Sequence, residues 1–226
     1  METLAQRLQI VEERISKACG LAGRSRADVA LVAVSKRHSA SEIGEAVSLG
    51  VSEFGENYVQ EALEKFPMPS ANLHFIGSLQ KNKVRKILPI SVLVHGVSSI
   101  SVLEAVERVA AEEGIAPEFL LQLHLTEEPT KHGFAPEDLP EALAISDGFR
   151  HARLRGFMVM APLDGGREAA SPVFARARAL LEESREGRPG MRLLSMGMSQ
   201  DLEEAISEGA THVRVGTAIF GERSSP

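Results

Sequence analysis

Val29-Ala30-Leu31-Val32-Ala33-Val34-Ser35-Lys36 is an unbroken apolar run closed by a serine and a lysine. A short apolar run of this kind, bounded by turn residues, reads as a strand buried on both faces, as in parallel sheets covered by helices. The lysine at its end is the unusual residue. Near apolar walls the charged form of a lysine is disfavoured, so more of it is the neutral amine that attacks carbonyls. Lys36 is therefore a candidate Schiff-base lysine. On this segment alone, a strand-end lysine reaching solvent is the plainer role.

Upstream, Leu4, Leu8, Val11, Ile15 and Ala18 recur at helical spacing with charged residues between them. They predict an amphipathic helix that ends near Gly20 to Gly23. Downstream, strand and helix patterns alternate. Strands are expected near Ser52 to Gly55, His74 to Gly77, Val92 to His95, Glu118 to Leu125, Leu154 to Met160, Met191 to Met196 and His212 to Val215. The intervening helices begin near Ser39, Asn57, Lys81, Ser99, Pro136, Gly166 and Ser199, with a last helical turn over Thr217 to Phe220. Eight such units in 226 residues match a (β/α)8 TIM barrel with an extra N-terminal helix. A doubly wound open sheet is the alternative. No linker divides the chain, so residues 1–226 are expected to form one domain.

Composition excludes several classes. A net charge of −6 argues against a general nucleic-acid binder. No apolar run reaches membrane-spanning length, and the N-terminus lacks the apolar segment of a signal peptide. The single Cys19 rules out an internal disulfide and fits a reducing, cytoplasmic setting. The seven histidines show no HxH or HExxH spacing, so no metal site is expected.

In a (β/α)8 barrel the chemistry sits at the C-terminal ends of the strands, and the loops after strands seven and eight form a phosphate seat. Two glycine-bearing junctions fall there: Ser195-Met196-Gly197-Met198-Ser199, and Arg214-Val215-Gly216-Thr217-Ala218-Ile219-Phe220-Gly221. Gly197 permits a tight turn and close backbone approach. Ser199 reads as the cap of the next helix, whose free N–H groups can also meet an anion. Gly216 and Thr217 offer amides and a hydroxyl. Arg214 is either a rim salt bridge or a donor to a ligand. A phosphate seat together with a Schiff-base lysine suggests pyridoxal 5′-phosphate, which needs an amine, an anion site and a partner for its pyridine nitrogen.

Five stretches also carry a family resemblance. They are Val32-Ala33-Val34-Ser35-Lys36, Phe54-Gly55-Glu56-Asn57-Tyr58-Val59-Gln60-Glu61, His74-Phe75-Ile76-Gly77-Ser78-Leu79-Gln80-Lys81-Asn82-Lys83, Ser195-Met196-Gly197-Met198-Ser199-Gln200-Asp201, and Val213-Arg214-Val215-Gly216-Thr217-Ala218-Ile219-Phe220-Gly221. Lys131-His132-Gly133 resembles the family's loop after strand five. In these stretches the chain resembles the pyridoxal phosphate homeostasis proteins, single-domain relatives of the barrel domain of alanine racemase. The resemblance implies that Lys36 carries the cofactor as an internal aldimine. It implies Ser199, Gly216 and Thr217 at the phosphate, with Gly197 in the same cofactor-binding set, and Arg214 facing the pyridine nitrogen. It implies Asn57 and His74 near the ring. The chain departs from some relatives at His38, where a second lysine can stand.

An arginine at the pyridine nitrogen discourages its protonation and makes the ring a poor electron sink. By the same resemblance, racemisation needs a second base, a tyrosine supplied by a further β-domain, whereas this chain closes at Pro226 and its only tyrosine is Tyr58. The expectation is a monomeric cofactor-binding protein that exchanges pyridoxal phosphate with apo-enzymes, without efficient turnover. Two alternatives are a weak amino-acid racemase using His74 or Tyr58, and a cofactor-free phosphosugar barrel with an aldolase-type lysine.

Overall fold

The computed structural model describes residues 2–126, 132–162, 164 and 166–221. Eight parallel strands close into a barrel in chain order. They are β1 (Ala30–Val34), β2 (Glu53–Glu56), β3 (Asn72–Phe75), β4 (Ser91–Val97), β5 (Glu118–Gln122), β6 (Arg153–Met158), β7 (Leu193–Ser195) and β8 (His212–Val215). Closure is made by β1 against β8, with Val32 opposite Arg214. The open-sheet alternative is thereby excluded.

The helices are α1 (Leu4–Leu21), α2 (Ala40–Ser48), α3 (Val59–Lys65), α4 (Val84–Ile87), α5 (Ile100–Glu113), α6 (Leu139–Asp147), α7 (Gly166–Ser184), α8 (Leu202–Ser207) and α9 (Thr217–Phe220). α1 begins with a capping box between Thr3 and Gln6 and buries Leu4, Leu8, Val11, Ile15, Ala18 and Cys19. Those residues pack against α8 and α9, so the extra helix covers the two final units of the barrel. Ser39 caps α2 in the same way, through Glu42.

Three boundaries differ from the sequence expectation. The single helix expected from Lys81 to Leu88 is a short α4 flanked by 3-10 turns over Lys81–Lys83 and Leu88–Ile90; Pro89 lacks the amide a longer α-helix requires. β4 continues past His95 to Val97, which moves His95 from a strand end to the barrel interior. α8 starts at Leu202 rather than at Ser199, because Asp201 takes the cap position and its carboxylate accepts the Met198 amide at 2.5 Å.

The main apolar core lies between the barrel wall and the helices. Inside the barrel, Leu93, Leu120 and Met158 form a separate small apolar cluster. The interior also holds buried polar side chains, among them His74, His95, Ser195 and Arg214. Among the described residues no helix is long and apolar enough to cross a membrane.

Candidate cofactor site

Lys36 lies two residues past the end of β1 and is half-buried. The turn that carries it is held from outside. Arg37 adopts a positive φ of 63°, and its amide donates to Glu61 Oε2 at 2.7 Å. Lys65 Nζ donates to the Ser35 carbonyl, to Glu56 Oε1 and to Glu61 Oε2. Ser35 Oγ donates to Glu56 Oε1 at 2.8 Å. The backbone on both sides of Lys36 is therefore tied to α3 and the end of β2. Burial pushes the Glu56 carboxyl above its ordinary range, against the opposing bonds from Lys65 and Ser35.

A cavity of about 220 Å³ opens at this end of the barrel. Lys36, Asn57, Ser199, Arg214, Gly216 and Thr217 line it, together with Val34, Ile76 and three methionines, Met158, Met160 and Met198. Six of the eight residues predicted from sequence thus share one cavity. Asn57 Oδ1 is buried and has no hydrogen-bond partner among the described residues. The methionine and aliphatic walls suit a flat apolar ring face.

Arg214 is 5% exposed and has no ion-pair partner among the described residues. Nη1 donates to Ser195 Oγ at 2.7 Å and Nη2 to the Val159 carbonyl at 3.0 Å. Burial brings its pKa down to about 10, with Asp201 acting weakly the other way. A buried guanidinium with neutral neighbours favours an acceptor or anion in the cavity. Gly216 stands beside Val34, where a Cβ would come within 3.3 Å of the Val34 carbonyl oxygen. It precedes α9, and its carbonyl accepts the Ile219 and Phe220 amides that open that helix.

The loops after β7 and β8 are braced by α1. Arg7 reaches the carbonyls of Ile219 and Phe220. Arg14 donates to the Ser199 carbonyl at 2.9 Å and pairs with Glu203 at 2.7 Å. Sequence reasoning missed this role for the extra helix; arginines at positions 7 and 14, one every two turns on a single face, were the available signal.

Two predicted residues do not line the cavity. Gly197 shapes the loop: its φ is 88°, a Cβ there would meet that of Ala205 at 2.5 Å, and its carbonyl accepts the Arg214 amide. His74 lies deeper in the barrel, where it meets His95 and Glu53. His38, in the position of the second lysine, stacks on Phe220 at 4.7 Å and bonds to Glu42. Lys131 lies outside the described residues. Among the described residues no group of His, Cys, Asp and Glu is arranged to hold a metal.

Residues 8–224 match the family model of the alanine racemase N-terminal domain. The chain is 42% identical to the pyridoxal phosphate homeostasis protein of Pseudomonas aeruginosa, over 99% of its own length and 97% of the relative's. The chain belongs to the pyridoxal phosphate homeostasis protein family. The Escherichia coli K12 homeostasis protein is 35% identical, with 99% and 98% covered. Among solved structures, PipY of Synechococcus elongatus with pyridoxal phosphate bound superposes with a TM-score of 0.83 at 36% identity, covering 97% of this chain and all of PipY. Alanine racemase from Corynebacterium glutamicum has a TM-score of 0.70 at 16% identity, over 95% of this chain and 61% of the racemase. That last likeness shows a shared barrel. The homeostasis-family membership and the closed barrel meet the expectations drawn from the five motif stretches.

Proposed function

We propose that this homeostasis-family protein binds pyridoxal 5′-phosphate through a Schiff base on Lys36 and stores or delivers the cofactor without efficient catalysis. The carrying observation is the single cavity that joins Lys36, the buried Arg214 and the Ser199, Gly216 and Thr217 loops. In forming the bond, the Lys36 amine adds to the aldehyde carbon and the carbonyl oxygen leaves as water. When bound, the cofactor supplies a reactive aldehyde carbon that exchanges between amines. The chain's own residues do the rest. Lys36 holds the covalent bond, Ser199, Gly216 and Thr217 take the phosphate, Arg214 donates toward the ring nitrogen, and Asn57 accepts beside it.

The non-catalytic side of the reading is supported by the lining. Among its described lining residues, the cavity holds no carboxylate, histidine or tyrosine side chain to act as a second base. Tyr58 stands outside the cavity under the Arg37 guanidinium, and His74 lies below it, so neither supplies an opposite-face base. The name and bound ligand of the 36%-identical PipY structure support the cofactor assignment. One domain, a monomeric state, a cytoplasmic setting and apo-enzyme recipients belong to the same reading.

The test is the visible spectrum of purified protein beside Lys36→Ala, with and without borohydride. A yellow wild type whose label becomes fixed to the chain, and its loss in the variant, is the expected result. A wild type that stays colourless with added pyridoxal phosphate overturns the reading and favours the phosphosugar alternative.

A further inference from the structure

A continuous line of side chains crosses the barrel interior beneath the cavity. Glu53, at the N-terminal mouth of β2, meets His74 Nε2 at 2.7 Å. His74 Nδ1 meets His95 Nε2 at 2.9 Å. His95 Nδ1 meets Ser195 Oγ at 2.8 Å. Ser195 Oγ accepts from Arg214 Nη1 at 2.7 Å. His74 and His95 are 3% and 0% exposed, and Ser195 is fully buried, so each of these groups must be paired within the protein.

Counting donors fixes the direction. A guanidinium has no lone pair to offer, so Arg214 donates to Ser195. The Ser195 hydroxyl then has one proton to give, and His95 Nδ1 is the acceptor in reach. His95 must carry its proton on Nε2 and give it to His74 Nδ1. His74 in turn carries its proton on Nε2 and gives it to the Glu53 carboxylate. Every donor finds an acceptor, and the charges sit at the two ends. In the reverse direction Ser195 accepts from both Arg214 and His95, and its own proton is stranded.

We propose that Glu53, His74, His95 and Ser195 form a through-barrel hydrogen-bond relay that orients Arg214 and gives its charge a remote partner, which makes them positioning residues for the cofactor. The inference rests on the cofactor reading only for its functional consequence; the relay itself is a property of the unliganded chain. The charged and titratable groups around it are Glu53 from β2, His74 from β3, His95 from β4, His212 and Arg214 from β8, and Asp201 ahead of α8. His212 flanks the relay with its ring 5.7 Å from that of His74 and 5.9 Å from that of His95, and its own Nδ1 meets the Thr211 hydroxyl. The His95 pKa is held well below the ordinary histidine value, first by burial and then by the neighbouring His74, His212 and Arg214. A neutral His95 is what the relay requires.

The test is nitrogen-15 NMR of the imidazoles in wild type, Ser195→Ala and Glu53→Gln, each checked for cooperative melting. At pH 7 His74 and His95 are expected as Nε2–H tautomers. Ser195→Ala moves the His95 Nδ1 resonance toward that of a free acceptor. A proton on Nδ1 of either ring, or a His95 resonance unmoved in Ser195→Ala, overturns the relay without any cofactor present. In protein loaded with pyridoxal phosphate, Glu53→Gln removes the remote anion and is expected to move the pH midpoint of the visible band down by roughly half a unit. An unchanged midpoint in a yellow protein overturns the coupling to the site, whereas a colourless wild type fails the cofactor reading and leaves the tautomer result to decide the relay.

Discussion

Lys65 Nζ stands 2.9 Å from Glu56 Oε1, and this ion pair is 8% and 0% exposed on its two sides. The same ammonium donates to the carbonyl of Ser35, next to Lys36. Lys65 thus anchors the backbone that carries Lys36. Replacing Lys65 by methionine leaves the Glu56 carboxylate buried without its cation, a loss of about 3–5 kcal/mol. Urea unfolding measures it, and adding Glu56→Gln in the same chain should return part of the loss. A Lys65→Met protein as stable as wild type would contradict the anchoring role.

Arg14 joins α1 to the Ser199 carbonyl and to Glu203, with both members of the ion pair 28% exposed. Because the pair is partly solvated, Arg14→Met should cost only about 1 kcal/mol of stability. Its larger effect is expected at the loop after β7, which carries Ser199. Equilibrium titration with pyridoxal phosphate should show weaker binding, with α1 still folded by circular dichroism.

Gly77 follows β3 at the rim of the barrel, and a Cβ there would meet the Asn57 carbonyl oxygen at 2.2 Å. The obstacle is backbone, which cannot swing aside as a side chain can. Gly77→Ala should therefore destabilise by on the order of 3 kcal/mol and displace Asn57 from the cavity. Thermal melting and cofactor titration of the one variant read both effects.

Acid should destabilise the protein before its carboxylates titrate. Burial brings the His212 pKa down from 6.5 to about 3, with His74 adding to the effect, and His95 shifts the same way. The native state refuses protons that the unfolded chain accepts below its own value of 6.5. This stability is complete above pH 6.5 and is lost as pH falls toward the folded values, at about 1.4 kcal/mol per pH unit for each histidine. Glu53, lowered to about 2 chiefly by its bond to His74, adds a further loss below its ordinary 4.5. Melting temperatures should fall from pH 7 to pH 5 and fall less steeply in His212→Gln; a flat wild-type profile over that range would refute the assignment.

Local pattern carried the reading a long way. The apolar run at Val29, the helical spacing from Leu4 to Ala18 and the strand at His212 each report burial that neighbouring residues share, so periodicity alone reveals them. The pattern at Ser199 predicts a helix cap, whereas Asp201 holds that position and its carboxylate takes the Met198 amide, a choice made by loop geometry. The resemblance implies His74 near the ring, while depth along a barrel strand has no sequence signature. The interior pairing of Glu53 and Ser195 has no signal in the sequence, because each looks like an ordinary strand residue. Lys65 is four residues after Glu61, an ordinary helix-surface spacing that gives no hint of burial.

The sequence by itself determined the order of strands and helices, the lysine after β1 and the two glycine-bearing loops, because these depend on contacts between residues near in the chain. The tertiary structure alone decided which polar residues meet. His95 and Ser195 are 100 positions apart, and Arg7 reaches a carbonyl 212 positions away. Closing β1 onto β8 with Val32 opposite Arg214 sets which side chains share a layer of the interior. Burial then favours pairing of those polar groups with one another, because a polar group taken from bulk water is costly unless it is hydrogen-bonded.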